Sequence, residues 1–174
     1  YLYFFSNRDF NLKFSNWEFN YVYTNPTRVY SAALNNDVPA LFQPKSDEEI
    51  INGEKEKEDT GEVIVKIDPE NFENRISVLP GKSGNYGSLY AAENGVLYIY
   101  RDDAGSKLKF FNQNDENEVT VLEDIGNYVV SADGKKILYA KAGEYGIVDV
   151  RENQKNTDGR IDLRKLEIKI FPKE

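Results

Sequence analysis

The sequence predicts an all-β chain, a β-propeller segment of about three four-stranded antiparallel blades that forms part of a larger closed propeller. Three observations lead there. A word recurs: Ala91-Ala92-Glu93-Asn94-Gly95-Val96-Leu97-Tyr98 has the same order as Val130-Ser131-Ala132-Asp133-Gly134-Lys135-Lys136-Ile137-Leu138-Tyr139, with Leu97 and Leu138 41 residues apart. Each copy sets Asn-Gly or Asp-Gly between apolar runs, and these residues tolerate the positive φ of a tight hairpin turn. Finally, hydrophobicity falls from the first strands of each repeat to the last. YLYFFSN, VLYIYR and KKILYAK are apolar on both faces, as strands sandwiched between neighbouring blades would be. The last strands alternate instead: Ile76 and Val78, Val119 and Val121, or Leu166, Ile168 and Ile170 on one face, and Ser77, Thr120, Glu167 and Lys169 on the other.

The first unit covers 1–80, with strands in YLYFFSN, RVYSAAL and RISVLP. Two stretches interrupt it. RDFNLKFSNWEFNYVYTNPTRVY places Trp17, Phe19, Tyr21 and Tyr23 at every second position, so an extended strand would turn all four to one face. Such a stripe is either an aromatic platform for a peptide, a sugar or a neighbouring domain, or a long hairpin packing on its own blade. These four residues are the candidate contact site. The second interruption, about 43–62, contains Glu54-Lys55-Glu56-Lys57-Glu58-Asp59, whose alternating charge suits a solvated loop or a short helix.

The second unit, 86–124, continues from its hairpin through the loop Asp102 to Ser106, the strand KLKFFNQ, a polar turn at 114–117 and the strand EVTVLE. Arg75 of RISVLP and Glu118 of EVTVLE are 43 residues apart, which keeps the first two units in step. The third unit, 127–171, has the turn Ala142-Gly143-Glu144, the strand YGIVDV, a longer polar turn from Arg151 to Gly159 and the strand LRKLEIKIF. Three units do not close a ring of about four to eight blades, and an open propeller leaves bare edges and faces. With no Met, and with an opening at Tyr1-Leu2-Tyr3-Phe4-Phe5 that reads as mid-strand, the chain is expected to be a piece of a larger protein.

Composition narrows the chemistry. A net charge of −8 argues against a surface that tracks phosphates, so nucleic acid is not an expected partner. No run approaches the roughly 18 apolar residues of a spanning helix, so membrane insertion is not expected. The absence of Cys excludes disulfides and leaves the redox compartment open. The absence of His removes the commonest general base and a common metal ligand, leaving any catalysis to carboxylates, Lys or Tyr.

Each motif with a chemical reading has a plainer one. Gln154 to Lys165 resembles a calcium loop around Asp158-Gly159-Arg160-Ile161, but its first position is Gln154 rather than Asp, and Lys165 stands where a bidentate Glu belongs. Asp102-Asp103 and Asp47-Glu48-Glu49 read as solvated turn carboxylates, since a glycosidase pair needs a set separation across a pocket. Gly81-Lys82-Ser83 fails as a phosphate loop because Ile76 occupies the position of the first Gly. Ser nucleophiles are plentiful, yet no His activates one. Neither a catalytic residue, nor a cofactor, nor a metal is expected.

The words YLYFFSNRDFN, TRVYSAAL, IDPENFENRISVLPGKSGNYGSL, NYVVSADGKKILYAK and IDLRKLEIKIFPKE resemble the end of the propeller region in tricorn-like serine peptidases. The most specific is Ile67-Asp68 followed by Arg75-Ile76-Ser77-Val78-Leu79-Pro80 and Gly84-Asn85-Tyr86. The resemblance spans nearly the whole chain and is poorest from Lys45 to Glu62. In that family a helical region, a PDZ-like domain and catalytic domains follow the propellers, with the Ser nucleophile and its His outside them. It implies a noncatalytic portion that stops just before the helical region and serves peptide access or filtering, docking or assembly. The implied partners are peptides or the protease's own other domains; apart from the resemblance, bare blade faces would be covered either by upstream blades of the same chain or by another copy in a homo-oligomer. Relatives with export signals point the localisation toward the bacterial periplasm. The alternative is a stand-alone TolB-like propeller acting as a protein-binding module, which the coding sequence beyond Glu174 would distinguish.

Overall fold

The computed structural model describes residues 1–10, 12–15, 17, 19–39, 41–42 and 65–167. The predicted insertion at about 43–62, including Asp47-Glu48-Glu49, lies outside them. The described chain is an all-β propeller segment. Strands β1 (Leu2–Ser6), β2 (Leu12–Phe14), β3 (Tyr21–Tyr23), β4 (Arg28–Ala32) and β5 (Ile76–Val78) belong to the first unit. β6 (Asn85–Ala92), β7 (Gly95–Asp102), β8 (Gly105–Asn112) and β9 (Asn117–Glu123) follow, then β10 (Asn127–Val130), β11 (Lys136–Lys141) and β12 (Glu144–Asp149). They form sheets in the orders β1-β4-β5, β6-β7-β8-β9 and β10-β11-β12, with β2-β3 a separate hairpin. All pairings are antiparallel. Only the middle sheet has four strands among the described residues.

The recurring glycines work differently in the two hairpins. Between β6 and β7 the turn residues are Glu93-Asn94, and Gly95 already pairs with Ala92. With φ 155°, Gly95 lies so close to β8 that a Cβ would sit 1.9 Å from the Phe111 carbonyl oxygen, which leaves glycine as the residue that fits. Between β10 and β11 the turn is longer. The Ser131 amide donates to the Lys136 carbonyl, Gly134 takes the left-handed φ of 70°, and Asp133 Oδ1 accepts from Ser131 Oγ (2.6 Å) and the Lys135 amide (3.1 Å). Those bonds, the Ser131 hydroxyl foremost, hold the Asp133 carboxyl below its ordinary range.

The middle sheet is covered on both faces. Val96, Tyr98 and Phe111 pack with Val29, Leu41 and Leu79 toward the first sheet. Leu97, Ile99, Leu108 and Leu122 pack with Ile137 and Tyr139 toward the third. Four consecutive residues of β7, Val96 to Ile99, are therefore fully buried. Each contributes roughly 1.5–3 kcal/mol by leaving water.

Three expectations need correction. β1 and β11, read as apolar on both covered faces, each bury one: Leu2 is 47% and Leu138 39% exposed, because no described sheet lies over that side. In β5 the same absence leaves Val78 38% exposed, so the Ile76 and Val78 side is not a dry inner face. On the third sheet Val129, Leu138 and Ile147 pair in one row across β10, β11 and β12, all exposed.

The last strand expected in LRKLEIKIF is the third correction. Backbone pairing with β12 comes earlier: the Ile147 amide donates to Gly159, the Ile161 amide donates to Tyr145, and Arg160 bridges Gly146. Leu163–Lys165 is then a 3₁₀ turn whose first amides are capped by Asp162, through a bond from the Arg164 amide (3.1 Å). Leu166 is exposed; Ile168, Lys169 and Ile170 lie outside the described residues. Upstream, the turn from Arg151 to Gly159 is more than a connection. Asn153 and Gln154 amides donate to the Thr120 and Val121 carbonyls at 3.0 and 2.9 Å, and Asn156 Nδ2 donates to the Glu123 carbonyl at 2.9 Å. This segment runs along β9 and occupies part of its free edge.

Candidate interaction surface

The candidate aromatic residues sit on the β2-β3 hairpin, which replaces the two-residue turn that joins β7 to β8. Its register pairs Leu12 with Tyr23, Lys13 with Val22 and Phe14 with Tyr21. At the far end the Ser15 amide donates to Asn20 (2.8 Å) and the Phe19 amide donates to Ser15 (2.9 Å). Phe19 takes φ 54°, so the extended run that would align all four aromatics stops there. Tyr21 and Tyr23 share one face of β3. Trp17 and Phe19 instead belong to the turn.

Burial shows which way the stripe faces. Trp17 is 91% exposed, Phe19 78%, Tyr21 66% and Tyr23 58%, with Phe10 at 71%. The hairpin does not pack its aromatics onto its own blade. They meet one another edge-on: Phe14 against Tyr21 at 5.4 Å and against Phe19 at 6.3 Å, and Phe10 against Tyr23 at 5.7 Å. The base is tied to the first sheet. The Asp9 amide donates to Pro26 (3.1 Å), Thr27 Oγ1 donates to Asn7 Oδ1 (2.6 Å), and Arg28 approaches Asp9 (3.7 Å). Sequence alternation located the aromatics but missed Phe10 and Phe14, which lie on the opposite arm; pairing the two arms about Asn16 to Asn20 would have found them.

A polar cluster that sequence reasoning did not single out lies between the first two sheets. Glu118 accepts from the buried Tyr98 hydroxyl and from Lys109 Nζ, and Lys109 also stands 5.5 Å above the Tyr100 ring. Tyr86 packs edge-on to Tyr98 and Tyr100. Burial, then the Glu118 charge, push the Tyr86 and Tyr98 phenols far above their ordinary value. Every member has a partner, so the cluster reads as a satisfied joint between sheets rather than a reactive centre.

The other motifs fall into structural roles. Asp102 accepts from the Ala104 amide within its turn, at 2.9 Å. In the Gly81 to Gly84 loop, the Gly81 carbonyl accepts from Arg28 (2.9 Å) and Gly84 bridges Thr27. In the calcium-like stretch Asp158 Oδ2 accepts from the Lys155 amide at 3.2 Å. Among the described residues no group of three or more acidic side chains is placed to hold a metal. No described helix is long and apolar enough to cross a membrane.

No family model and no curated protein matches the sequence. Among solved structures, the fold is similar to part of the crystal structure of the tricorn protease, with a TM-score of 0.58 over 85% of this chain at 13% identity. The chain spans 15% of that protein's length. At this identity the likeness is one of fold, and it agrees in direction with the tricorn-like words in the sequence.

Proposed function

We propose that this chain is a noncatalytic propeller portion of a tricorn-like serine peptidase, and that it makes contact with peptides or with another domain of that protein through the β2-β3 hairpin. One observation carries the reading: six aromatic rings, Phe10, Phe14, Trp17, Phe19, Tyr21 and Tyr23, are exposed together on and beside the hairpin, on a scaffold whose fold is shared with part of the tricorn protease. Two strands alone are marginal in water. Covering the rings would contribute about 1.5–3 kcal/mol for each side chain fully buried, the driving force expected of a recognition surface. A propeller blade supplies the rigid mount.

Trp17 is the single tryptophan, so its emission reports on the hairpin directly. Titration with peptides from a protease digest of an unfolded protein is expected to give a saturable blue shift. Phe19→Ala should weaken that response without moving the denaturation midpoint. A Trp17 spectrum indifferent to every peptide and to the downstream domains would end this reading. Turnover of a peptide by the purified chain, persisting through further purification, would contradict the noncatalytic assignment.

A further inference from the structure

The aromatic hairpin is not a straight continuation of the sheet that carries it. The β1-β4 ladder ends at Ser6 opposite Arg28, and the β2-β3 ladder begins at Leu12 opposite Tyr23. Between them lie two arms of unequal length, 7–11 and 24–27, with Asn25 in the left-handed region at φ 49°. A ladder fixes the direction of its strands through repeated bonds. Across this break, among the described residues, the direction rests on single contacts. Three of them stay within the first unit: the Asp9 amide on Pro26, Thr27 Oγ1 on Asn7, and the Arg8 guanidinium 5.9 Å above the Tyr30 ring.

Arg28 reaches further. Its Nη2 donates to the carbonyls of Leu79 (3.2 Å) and Gly81 (2.9 Å), in the connector from the first sheet to the second, while Nη1 faces Asp9 Oδ2 at 3.7 Å. That connector is itself seated on the middle sheet. The Gly84 amide donates to Thr27 (3.0 Å), and a Cβ on Gly84 would lie 2.3 Å from the Tyr100 ring. The guanidinium is a planar fork, so two carbonyls on one nitrogen set the plane in which the other meets the carboxylate. Arg28 and Asp9 are only half-buried, and an ion pair of that kind adds little stability. Its effect is directional.

We propose that Arg28 is a positioning residue for the hairpin: by holding Asp9 against the connector between the first two sheets, it fixes the angle at which the aromatic rings stand off the blade. The role deepens the contact function proposed above and rests on it for its purpose. A ligand then meets rings already oriented and need not order them, which lowers the entropic cost of binding. The angle itself is a property of the chain alone and is measurable without a ligand.

The chain has no Cys, so spin labels on Lys13→Cys and Asn114→Cys report the distance from the hairpin to the β8-β9 turn without background. A control pair, Asp103→Cys and Asn114→Cys, spans the length of β8 and gives the width due to the labels. With no further change, the hairpin pair should give a distribution as narrow as the control. Asp9→Asn keeps the shape of the side chain and removes its charge; Arg28→Lys keeps the charge and removes the fork. Each should widen the hairpin distribution at least about twofold and leave the control pair in place. Asp9→Asn should do so without moving the urea midpoint. In the Trp17 titration with digest peptides, Asp9→Asn should raise the half-saturating concentration at least about threefold. A hairpin distance already broad without further change, one that Asp9→Asn leaves as it was, or an unmoved half-saturation overturns the proposal. A Trp17 response absent from every form ends the contact reading instead, and the distances alone then decide the role of Arg28.

Discussion

Gly146→Ala tests how tightly the third sheet is built. Gly146 pairs with Tyr139 across β11 and β12, and the Tyr139 ring lies over it. A Cβ added there would meet ring Cζ and the hydroxyl oxygen at 2.4 Å and Cε1 at 2.6 Å, all closer than van der Waals contact permits. Tyr139 has little freedom to give way: it is 1% exposed, and its hydroxyl donates to the Asp158 carbonyl at 2.7 Å. Overpacking of this kind costs about 1–3 kcal/mol, and losing the hydrogen bond about 0.5–1.5 more. Gly146→Ala should therefore destabilise by about 2–4 kcal/mol, read as a fall in the urea midpoint. Tyr139→Leu alone should cost about 2–5 kcal/mol through the vacated volume. Because the shorter side chain makes room for the methyl, the double variant should cost at least about 1 kcal/mol less than the sum. Additivity within about 0.5 kcal/mol, the behaviour of sites that do not touch, would refute the reasoning.

Four further outcomes follow from other parts of the molecule. Trp17→Ala should change stability by less than about 0.5 kcal/mol, as for an exposed surface residue; a loss of about 3–5 kcal/mol in denaturant would mean that the ring is core. Glu118→Ala leaves the Tyr98 hydroxyl without its acceptor and should cost about 1–3 kcal/mol, with Glu118→Gln costing less; equal midpoints for the two would remove the hydrogen bond from the account. Among the described residues Ser31 Oγ is buried without a partner, so Ser31→Ala should raise stability by about 1 kcal/mol, and a decrease would show that the hydroxyl is bonded. Burial holds the Tyr86, Tyr98 and Tyr128 phenols protonated beyond the range where the unfolded chain, with a phenol pKa near 10, has ionised. The stability they supply is complete below about pH 10 and is lost as pH rises beyond it, at about 1.4 kcal/mol per pH unit for each, so Tyr98→Phe should lessen the slope of alkaline denaturation.

Much of this fold was legible in short words. Apolar strands at 2–6, 95–102 and 136–141 form where their composition places them, and the turn glycines stand at real constraints. What was not legible depends on neighbours. Leu138 looks like a core residue, but burial needs a second surface, which a strand's own sequence does not contain. The aromatic alternation from Trp17 to Tyr23 looks like one strand until Phe19 turns left-handed to close the hairpin. The polar run from Arg151 to Gly159 reads as solvent-facing filler, since two of its three bonds to β9 are made by backbone amides, for which residue type is nearly irrelevant, and the third, from Asn156 Nδ2, needs only one of several polar side chains. Similarly, Tyr98 meets Glu118 across 20 residues of chain, a pairing that no local pattern encodes.

The amides of Asn153 and Gln154, seated on the carbonyls of Thr120 and Val121, tie the melting of one unit to that of the next. In a linear array, cooperativity is set by such nearest-neighbour terms rather than by the intrinsic strength of each module. Here one unit lends its neighbour an edge as well as a face. Detachment of this connector would bare part of β9 and expose an edge prone to self-association, so the joint between these two units depends on a loop as much as on their cores.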